Sequence, residues 1–76
     1  MAMTLTIPKL EMSMVEGTLA EWVAADGSAV TAGQVIYVLE TDKTARDIEA
    51  PTSGTLVHKA TAGEAYEVGF EIGEII

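Results

Sequence analysis

Few side chains of this sequence could take part in covalent chemistry. There is no cysteine, the only histidine is His58, and the side-chain primary amines belong to Lys9, Lys43 and Lys59. No Ser-His-Asp spacing, glycine-rich phosphate loop or paired-carboxylate motif is present. With one histidine and no cysteine, a metal site is not expected, and thiol chemistry would need a cofactor that supplies the sulfur. If the chain is covalently modified at a lysine, there are three candidates.

The charge of the chain excludes one class of partner. Twelve acidic residues against four basic ones give a net charge of −8. Nucleic-acid binding requires clustered lysine and arginine, so no nucleic-acid partner is expected. An acidic surface favours solubility and can favour docking on basic protein surfaces. No apolar run approaches the roughly 20 residues that span a bilayer, and the N-terminus lacks a secretory pattern. We expect a soluble, cytoplasmic protein without membrane association.

Short β-prone runs separated by glycine and Asp/Ser turns follow one another along the chain. They predict strands at residues 5–7, 18–23, 35–41, 44–50, 55–58 and 70–76. The only segments that could be helical are too short to be stable helices by themselves. Many short strands at close spacing predict an all-β fold, either a sandwich or a flattened barrel. The length fits a single domain over residues 1–76.

A weak internal repeat predicts how these strands are arranged. Residues 27–33 and 63–69 carry Gly, Ala and Gly in register, and the Gly-Thr-Leu at 17–19 matches the Gly-Thr-Leu at 54–56. Two copies predict two similar halves related by a pseudo-two-fold axis. The first half carries an insertion around residues 10–15, which is expected to form a surface loop.

The segment Glu40-Thr41-Asp42-Lys43-Thr44 joins two predicted strands. If these strands pair, Asp42 and Lys43 form the centre of a tight hairpin turn. Aspartate is a good turn residue, whereas lysine is not strongly preferred there. A lysine at such a tip is solvated and projects from the fold, which is ordinary for a surface lysine. The position also suits the attachment of a group, because both flanking strands hold the lysine while its side chain stays mobile.

The tetrapeptide Glu40-Thr41-Asp42-Lys43, followed by Glu49-Ala50-Pro51 and Gly54, resembles the signature of lipoyl domains from the acyltransferase components of 2-oxo-acid dehydrogenase complexes. Further similar positions are Pro8-Lys9-Leu10, Met14, Glu16-Gly17-Thr18, Glu21-Trp22, Asp26-Gly27 and Gly33. The resemblance covers nearly the whole chain. It implies a flattened eight-stranded barrel, a barrel-sandwich hybrid of two four-stranded sheets with quasi-two-fold symmetry. It also implies that the chain ends lie opposite the modified turn.

The resemblance further implies that lipoic acid is joined by an amide bond to Lys43, through a lipoate ligase or a lipoyl transferase. Thr41, Asp42 and Thr44 would then be the turn residues that the modifying enzyme recognises. The domain would have no catalytic residue and would be monomeric in isolation. As a swinging arm it would carry acyl groups and reducing equivalents between three components of a 2-oxo-acid or acetoin dehydrogenase complex. Those components are a thiamine-diphosphate-dependent decarboxylase, an acyltransferase catalytic domain and the flavin enzyme dihydrolipoamide dehydrogenase.

Four residues are expected to form the surface that partner enzymes contact: Glu40, Arg46, Met12 and Met14. The two methionines either pack over the core or form an adaptable contact patch in their loop. Arg46 departs from the family pattern, because many members have an apolar residue there, in phase with the inward-pointing Ile48. An inward arginine must extend to the barrel edge or meet a carboxylate. The carboxylates nearest in sequence are Glu40, Asp42 and Asp47.

Two alternatives remain open from the sequence. Biotinyl domains share the fold but place their lysine in a Met-Lys-Met setting, whereas Asp42 and Thr44 flank Lys43 here. Lys9 and Lys59 are most simply solvated surface charges. In the second alternative the chain is an unmodified interaction module that uses the Met12/Met14 loop. The sequence does not specify the 2-oxo acid, and both an excised domain and a small carrier encoded alone remain compatible with it.

Overall fold

The computed structural model describes residues 2–76, and within them it contains eight strands and no helix. The strands are β1 (Met3–Thr6), β2 (Glu16–Trp22), β3 (Ala29–Val30), β4 (Val35–Glu40), β5 (Ala45–Glu49), β6 (Gly54–His58), β7 (Glu64–Glu67) and β8 (Glu71–Ile75). Six of them follow the predicted β-prone runs. The other two, β3 and β7, lie inside the glycine-bounded repeats, and β3, with two residues, is too short to show an alternating pattern. The described part of the chain has no helix that could cross a membrane.

The strands form two antiparallel four-stranded sheets, which confirms the predicted all-β class. Their orders are β1-β8-β6-β3 and β5-β4-β2-β7. Replacing β1 to β4 by β5 to β8, and the reverse, converts one order into the other. The repeat therefore corresponds to a quasi-two-fold axis that exchanges the sheets. Each sheet takes two strands from each half, so the halves interleave and neither forms a sheet alone.

The core lies between the two sheets and is built from the inward positions of the strands. Five side chains there have no exposed surface: Leu19, Ile36, Leu39, Leu56 and Ile72. Each contributes about 1.5–3 kcal/mol relative to an exposed position. Apolar burial thus takes the role that disulfides have in many small domains, since the chain has no cysteine.

The loop between β1 and β2, residues 7–15, is longer than residues 50–53, which join β5 to β6. This confirms the predicted insertion in the first half. Its two methionines differ. Met12 is 94% exposed, whereas Met14 is 6% exposed and its Sδ accepts a hydrogen bond from the Leu10 N–H at 3.2 Å. The expectation of a partner-contact role for Met14 is corrected here, because its side chain fills the space left by the absent Cβ of Gly17.

The start of β1 and the end of β8 lie at the opposite end of the molecule from the Lys43 turn. β4 ends at the turn, and antiparallel pairing means that β2 begins there and β7 ends there. The Gly69 N–H donates to the Ile7 carbonyl at 2.9 Å, which brings the end of β1 and the start of β8 to the same place. β1 therefore begins, and β8 ends, at the far end, where Met3 pairs with Ile75.

Candidate functional site

The three lysines of the chain differ in what surrounds their amines. Lys59 Nζ lies 2.8 Å from Glu71 Oε2 and 3.6 Å from Glu74 Oε1, and its hydrogen bond with Glu71 raises the pKa of Lys59. Lys9 is exposed in the loop after β1. Lys43 is exposed at the tip of the β4–β5 hairpin, and within residues 2–76 its amine has no ion-pair or hydrogen-bond partner. Within residues 2–76 the amines of Lys9 and Lys43 are therefore both exposed and unpaired, and of these two lysines Lys43 is the one at the tip of a hairpin.

The Lys43 turn has an unusual set of hydrogen bonds. Glu40 pairs with Ala45 in the ladder, and beyond them the Thr41 N–H donates to the Thr44 carbonyl at 2.8 Å. A tight hairpin usually has the reciprocal bond from the Thr44 N–H to the Thr41 carbonyl. Here the Thr44 N–H donates instead to the Thr41 hydroxyl oxygen, Oγ1, at 3.3 Å. The Lys43 N–H donates to the same oxygen at 3.4 Å, and the hydroxyl itself donates to the Thr44 carbonyl at 3.4 Å.

Backbone conformation explains why a side chain takes part in this turn. Two-residue hairpin turns usually adopt types I′ or II′, which need positive φ at one or both central residues. Within residues 2–76 only glycines have positive φ, so Asp42 and Lys43 both turn with negative φ. The predicted tight turn is present, but it is not of the usual hairpin type. The sequence placed Thr41 in the turn but did not predict its hydrogen bonds. The available signal was a threonine that precedes two turn residues by two and three positions, because threonine hydroxyls often accept hydrogen bonds from such nearby main-chain amides.

The other residues assigned to the turn are all near the surface. Asp42, Thr44 and Glu40 are exposed, and Thr41 is partly buried. None of them forms an ion pair within residues 2–76. Residues 2–76 also contain no group of three or more histidine, cysteine or acidic side chains that could hold a metal ion. The arrangement displays the amine of Lys43 at an exposed turn.

Arg46 lies on the inward face of β5, as its phase with Ile48 predicts. It stands opposite Leu39, and Ile48 stands opposite Tyr37, both of which are buried. Arg46 itself is exposed, since β5 is the outer strand of its sheet. It forms no ion pair within residues 2–76. Of the two arrangements considered for an inward arginine, the structure has the one in which the side chain extends to the edge.

Three exposed apolar side chains lie at the same end of the molecule as Lys43. Met12 is 94% exposed, Val15 is 77% exposed, and Phe70 is 47% exposed while it stacks on Tyr66 with ring centroids 4.8 Å apart. Met12 is the one expected from the sequence. Val15 and Phe70 were not expected, because an apolar residue beside a strand gives no sign of whether it is buried.

An apolar opening of about 330 Å³ lies between the outer strands β1 and β5. Its lining includes Leu5, Ile36, Ile48 and Tyr37, and it does not include any turn residue. Burial raises the pKa of Tyr37 to about 12, so its phenol stays protonated at neutral pH. The carboxylate-bearing Glu49 also lines the opening, which is separate from the Lys43 turn.

The fold and the displayed lysine define the class of small β-sandwich carrier domains, and comparison with known proteins agrees. The chain matches the Biotin_lipoyl family, described as biotin-requiring enzyme, over residues 3–75. The chain belongs to this family. The resemblance to lipoyl domains, drawn from the tetrapeptide at the turn, is confirmed. Membership supports a covalently attached lipoyl or biotin cofactor.

The proteins to which the chain is similar are acyltransferase components of multienzyme systems. It is 41% identical over 70 residues, 91% of the chain, to the dihydrolipoyllysine-residue acetyltransferase component of the acetoin cleaving system of Cupriavidus necator. It is 37% identical over 76 residues, 99% of the chain, to the succinyltransferase component of the 2-oxoglutarate dehydrogenase complex of Rickettsia typhi. It is 41% identical over 56 residues, 74% of the chain, to the acetyltransferase component of the pyruvate dehydrogenase complex of Rhizobium meliloti. The chain spans 19%, 19% and 12% of their lengths, respectively.

Proposed function

We propose that the chain is a lipoyl carrier domain in which lipoate is joined by an amide bond to Nζ of Lys43. The observation that carries the proposal is the placement of Lys43. It is an exposed lysine at the tip of a hairpin, without an ion-pair partner within residues 2–76, at the end of the molecule opposite the start of β1 and the end of β8. An attached group there would face away from any chain that continues beyond the domain.

The residues around Lys43 fit a covalent group better than a bound one. The amine of Lys43 is exposed and no turn residue lines the apolar opening between β1 and β5, and an amide bond needs only an accessible nitrogen. Strands β4 and β5 fix the Cα of Lys43, and the lysine side chain stays free to move. A lipoyl group attached there would supply a dithiolane that takes up an acyl group as it is reduced. The domain contributes reach and a high effective concentration of the arm at its partners.

Two features favour lipoate over biotin. Lys43 is flanked by Asp42 and Thr44, and not by the methionines of biotinyl domains. The similar proteins named above are dihydrolipoyllysine-residue acyltransferases, which bear lipoate by their names. We therefore propose that a lipoate ligase or lipoyl transferase modifies Lys43 and recognises the turn through Thr41, Asp42 and Thr44.

The proposed partners are the components of a cytoplasmic 2-oxo-acid or acetoin dehydrogenase complex. A thiamine-diphosphate-dependent decarboxylase would load the arm, an acyltransferase domain would pass the acyl group to coenzyme A, and a flavin dihydrolipoamide dehydrogenase would reoxidise the dithiol. The domain itself would be non-catalytic. Glu40, Arg46 and Met12 are proposed to contribute to partner contacts, and all three are exposed at the lysine end.

Intact-mass spectrometry tests the attachment. The apo protein is incubated with ATP, lipoate and a lipoate–protein ligase, beside its Lys43→Arg, Lys9→Arg and Lys59→Arg variants. Amide formation with lipoate adds about 188 Da, and with biotin about 226 Da. We expect the lipoate increment in the wild type and in the Lys9 and Lys59 variants, and no increment in Lys43→Arg. An unmodified wild type, or a modified Lys43→Arg protein, would overturn the proposal. A parallel incubation with a biotin–protein ligase that gave the larger increment would show a biotinyl domain instead.

A further inference from the structure

We infer that Thr41 is a positioning residue whose hydroxyl fixes the shape of the Asp42-Lys43 turn and thereby sets how readily a ligase accepts Lys43. This inference rests on the proposed function and names the atom of the chain that controls how readily Lys43 is lipoylated. The relevant atom is Thr41 Oγ1, which does not touch the amine of Lys43. Its effect is exerted through the backbone of Lys43 and Thr44.

The argument begins with the hydrogen bonds of the turn. Thr41 Oγ1 is the acceptor for two consecutive main-chain amides, those of Lys43 at 3.4 Å and Thr44 at 3.3 Å, and its own proton is directed to the Thr44 carbonyl at 3.4 Å. These contacts are longer than the usual 2.7–3.2 Å, so each one is weak. Together they are the only described hydrogen bonds on the N–H groups of Lys43 and Thr44.

The backbone gives the second step. With negative φ at Asp42 and Lys43, the turn is of neither type I′ nor type II′, the types favoured for two-residue hairpins, and the Thr44 N–H donates to a side-chain oxygen and not to the Thr41 carbonyl. Without the hydroxyl, the closing bond from the Thr41 N–H to the Thr44 carbonyl remains, but the amides of Lys43 and Thr44 lose their acceptor. The tip of the turn would then sample several conformations, and only a fraction of the molecules would hold Lys43 in the displayed position.

This mechanism makes a specific kinetic prediction. When only a fraction of a substrate protein is in the accepted conformation, its apparent affinity falls by that fraction and the chemical step does not change. Losing these weak hydrogen bonds together corresponds to roughly a fivefold change in population. Removing the hydroxyl should therefore raise the KM of the ligase for the domain about fivefold, with kcat within about twofold of the wild-type value.

The test compares three variants as ligase substrates. Thr41→Val has nearly the same shape as threonine and lacks the hydroxyl, Thr41→Ser restores the hydroxyl, and Thr4→Val removes an exposed hydroxyl from β1 at the far end of the molecule. KM and kcat for lipoylation are measured by mass spectrometry. Amide hydrogen exchange is measured at Lys43, Thr44 and core positions of the same proteins.

We expect the raised KM and faster exchange at Lys43 and Thr44 in Thr41→Val only, with near-wild-type values in Thr41→Ser and Thr4→Val. Core exchange should be unchanged in all three, which separates the effect from unfolding. An unchanged KM in Thr41→Val, an equal rise in Thr41→Ser, or a fall in kcat at constant KM would each overturn the inference. These results require a wild-type domain that is lipoylated at Lys43. Failure of that modification would overturn the proposed function, whereas failure of Thr41→Val to differ leaves the proposed function in place.

Discussion

Arg46 stands directly opposite Leu39 in the β4–β5 ladder, and the two have opposite environments. Leu39 has no exposed surface, whereas Arg46 is exposed. Residues directly opposite in an antiparallel pair share a face of the sheet, so the arginine begins on the core side and extends past the edge. Its guanidinium has no carboxylate partner within residues 2–76. This leaves a cation available at the edge of an otherwise acidic domain, three residues after Lys43.

The Arg46→Val variant tests whether this cation selects a partner. Valine suits the inward face of β5, so we expect a free energy of unfolding within about 0.5 kcal/mol of the wild-type value. If Arg46 contacts the decarboxylase, loss of an edge charge should slow association, and reductive acylation of the lipoylated domain should fall by about threefold at low salt. Equal acylation rates at matched lipoylation would end this hypothesis. Lys9→Met, which removes a cation from the loop after β1, is the control.

Two glycines in strands of different sheets, Gly17 in β2 and Gly73 in β8, should respond differently to alanine. A Cβ at Gly73 would lie 2.5 Å from the Val57 carbonyl oxygen, which belongs to the β6 backbone and moves only with its sheet. A Cβ at Gly17 would lie 2.8 Å from Met14 Cε and from Leu39 Cδ1, which are the ends of flexible side chains. We expect Gly73→Ala to cost about 3 kcal/mol and Gly17→Ala about 1 kcal/mol.

Thermal unfolding followed by circular dichroism measures both glycine variants. For a domain of this size, 1 kcal/mol shifts the melting temperature by roughly 4–8 °C, so the two variants should be clearly resolved. The Gly69→Ala variant is the comparison for backbone strain without crowding. A Cβ at Gly69 would meet nothing within 4 Å, but the φ of Gly69 is 90°. A larger loss for Gly17→Ala than for Gly73→Ala would contradict the assignment of a rigid contact at Gly73.

Sequence patterns predicted most of the fold because its longer strands are rich in β-prone residues and recur in the two halves. The run at residues 35–41 became β4 (Val35–Glu40), and the matched Gly-Thr-Leu segments became the related strands β2 and β6. β3 (Ala29–Val30) could not be predicted in this way, since a strand of two residues has no period. The interleaving of the two halves was also not available from the repeat, which shows that the halves are similar but not which strands pair.

The candidate site was predicted less completely. The position of Lys43 at a turn followed from the strands on either side, which is a local property. The role of Thr41 depends on the sign of φ at the two residues after it, and neither Asp nor Lys determines that sign. The contrast between Met12 and Met14 depends on the space above Gly17, which is a tertiary property. These cases show that a turn can be located from sequence, whereas its hydrogen bonds and its neighbours cannot.

The amine of Lys59 should be less reactive than those of the other lysines. Its hydrogen bond with Glu71 raises its pKa, and Glu74 adds to this, so more of it is protonated at a given pH. A limiting amount of an amine-reactive ester at mildly alkaline pH should label Lys43 and Lys9 before Lys59. Glu71→Gln should speed labelling of Lys59 and leave Lys43 unchanged, as peptide mass spectrometry can measure. Labelling of Lys59 ahead of Lys43 would contradict the ion pair.

The same ion pair has a defined pH dependence. A lysine whose pKa is higher in the folded state than in the unfolded state contributes stability that is fully present below the unfolded pKa and is lost as the pH rises through the folded one. The stability difference between wild type and Glu71→Gln should therefore be constant at neutral pH and shrink in the alkaline range. It should also be small, because both side chains are exposed. Urea unfolding at a series of pH values measures it, and a difference that grows with alkaline pH would have the wrong sign.

His58 should stabilise the only tryptophan of the chain chiefly through its ring. The His58 and Trp22 rings are stacked with centroids 3.9 Å apart and an interplanar angle of 11°, and the Trp22 indole N–H donates to the Ala60 carbonyl at 3.1 Å. His58→Ala uncovers one face of the indole, so we expect a red-shifted Trp22 emission and a loss of about 1–2 kcal/mol. His58→Phe retains a ring and loses only the 3.0 Å hydrogen bond between His58 Nε2 and the Ala24 carbonyl, so its emission should stay near that of the wild type with a loss of about 1 kcal/mol. Equal red shifts in the two variants would show that the hydrogen bond, and not the stacked ring, holds Trp22 in place.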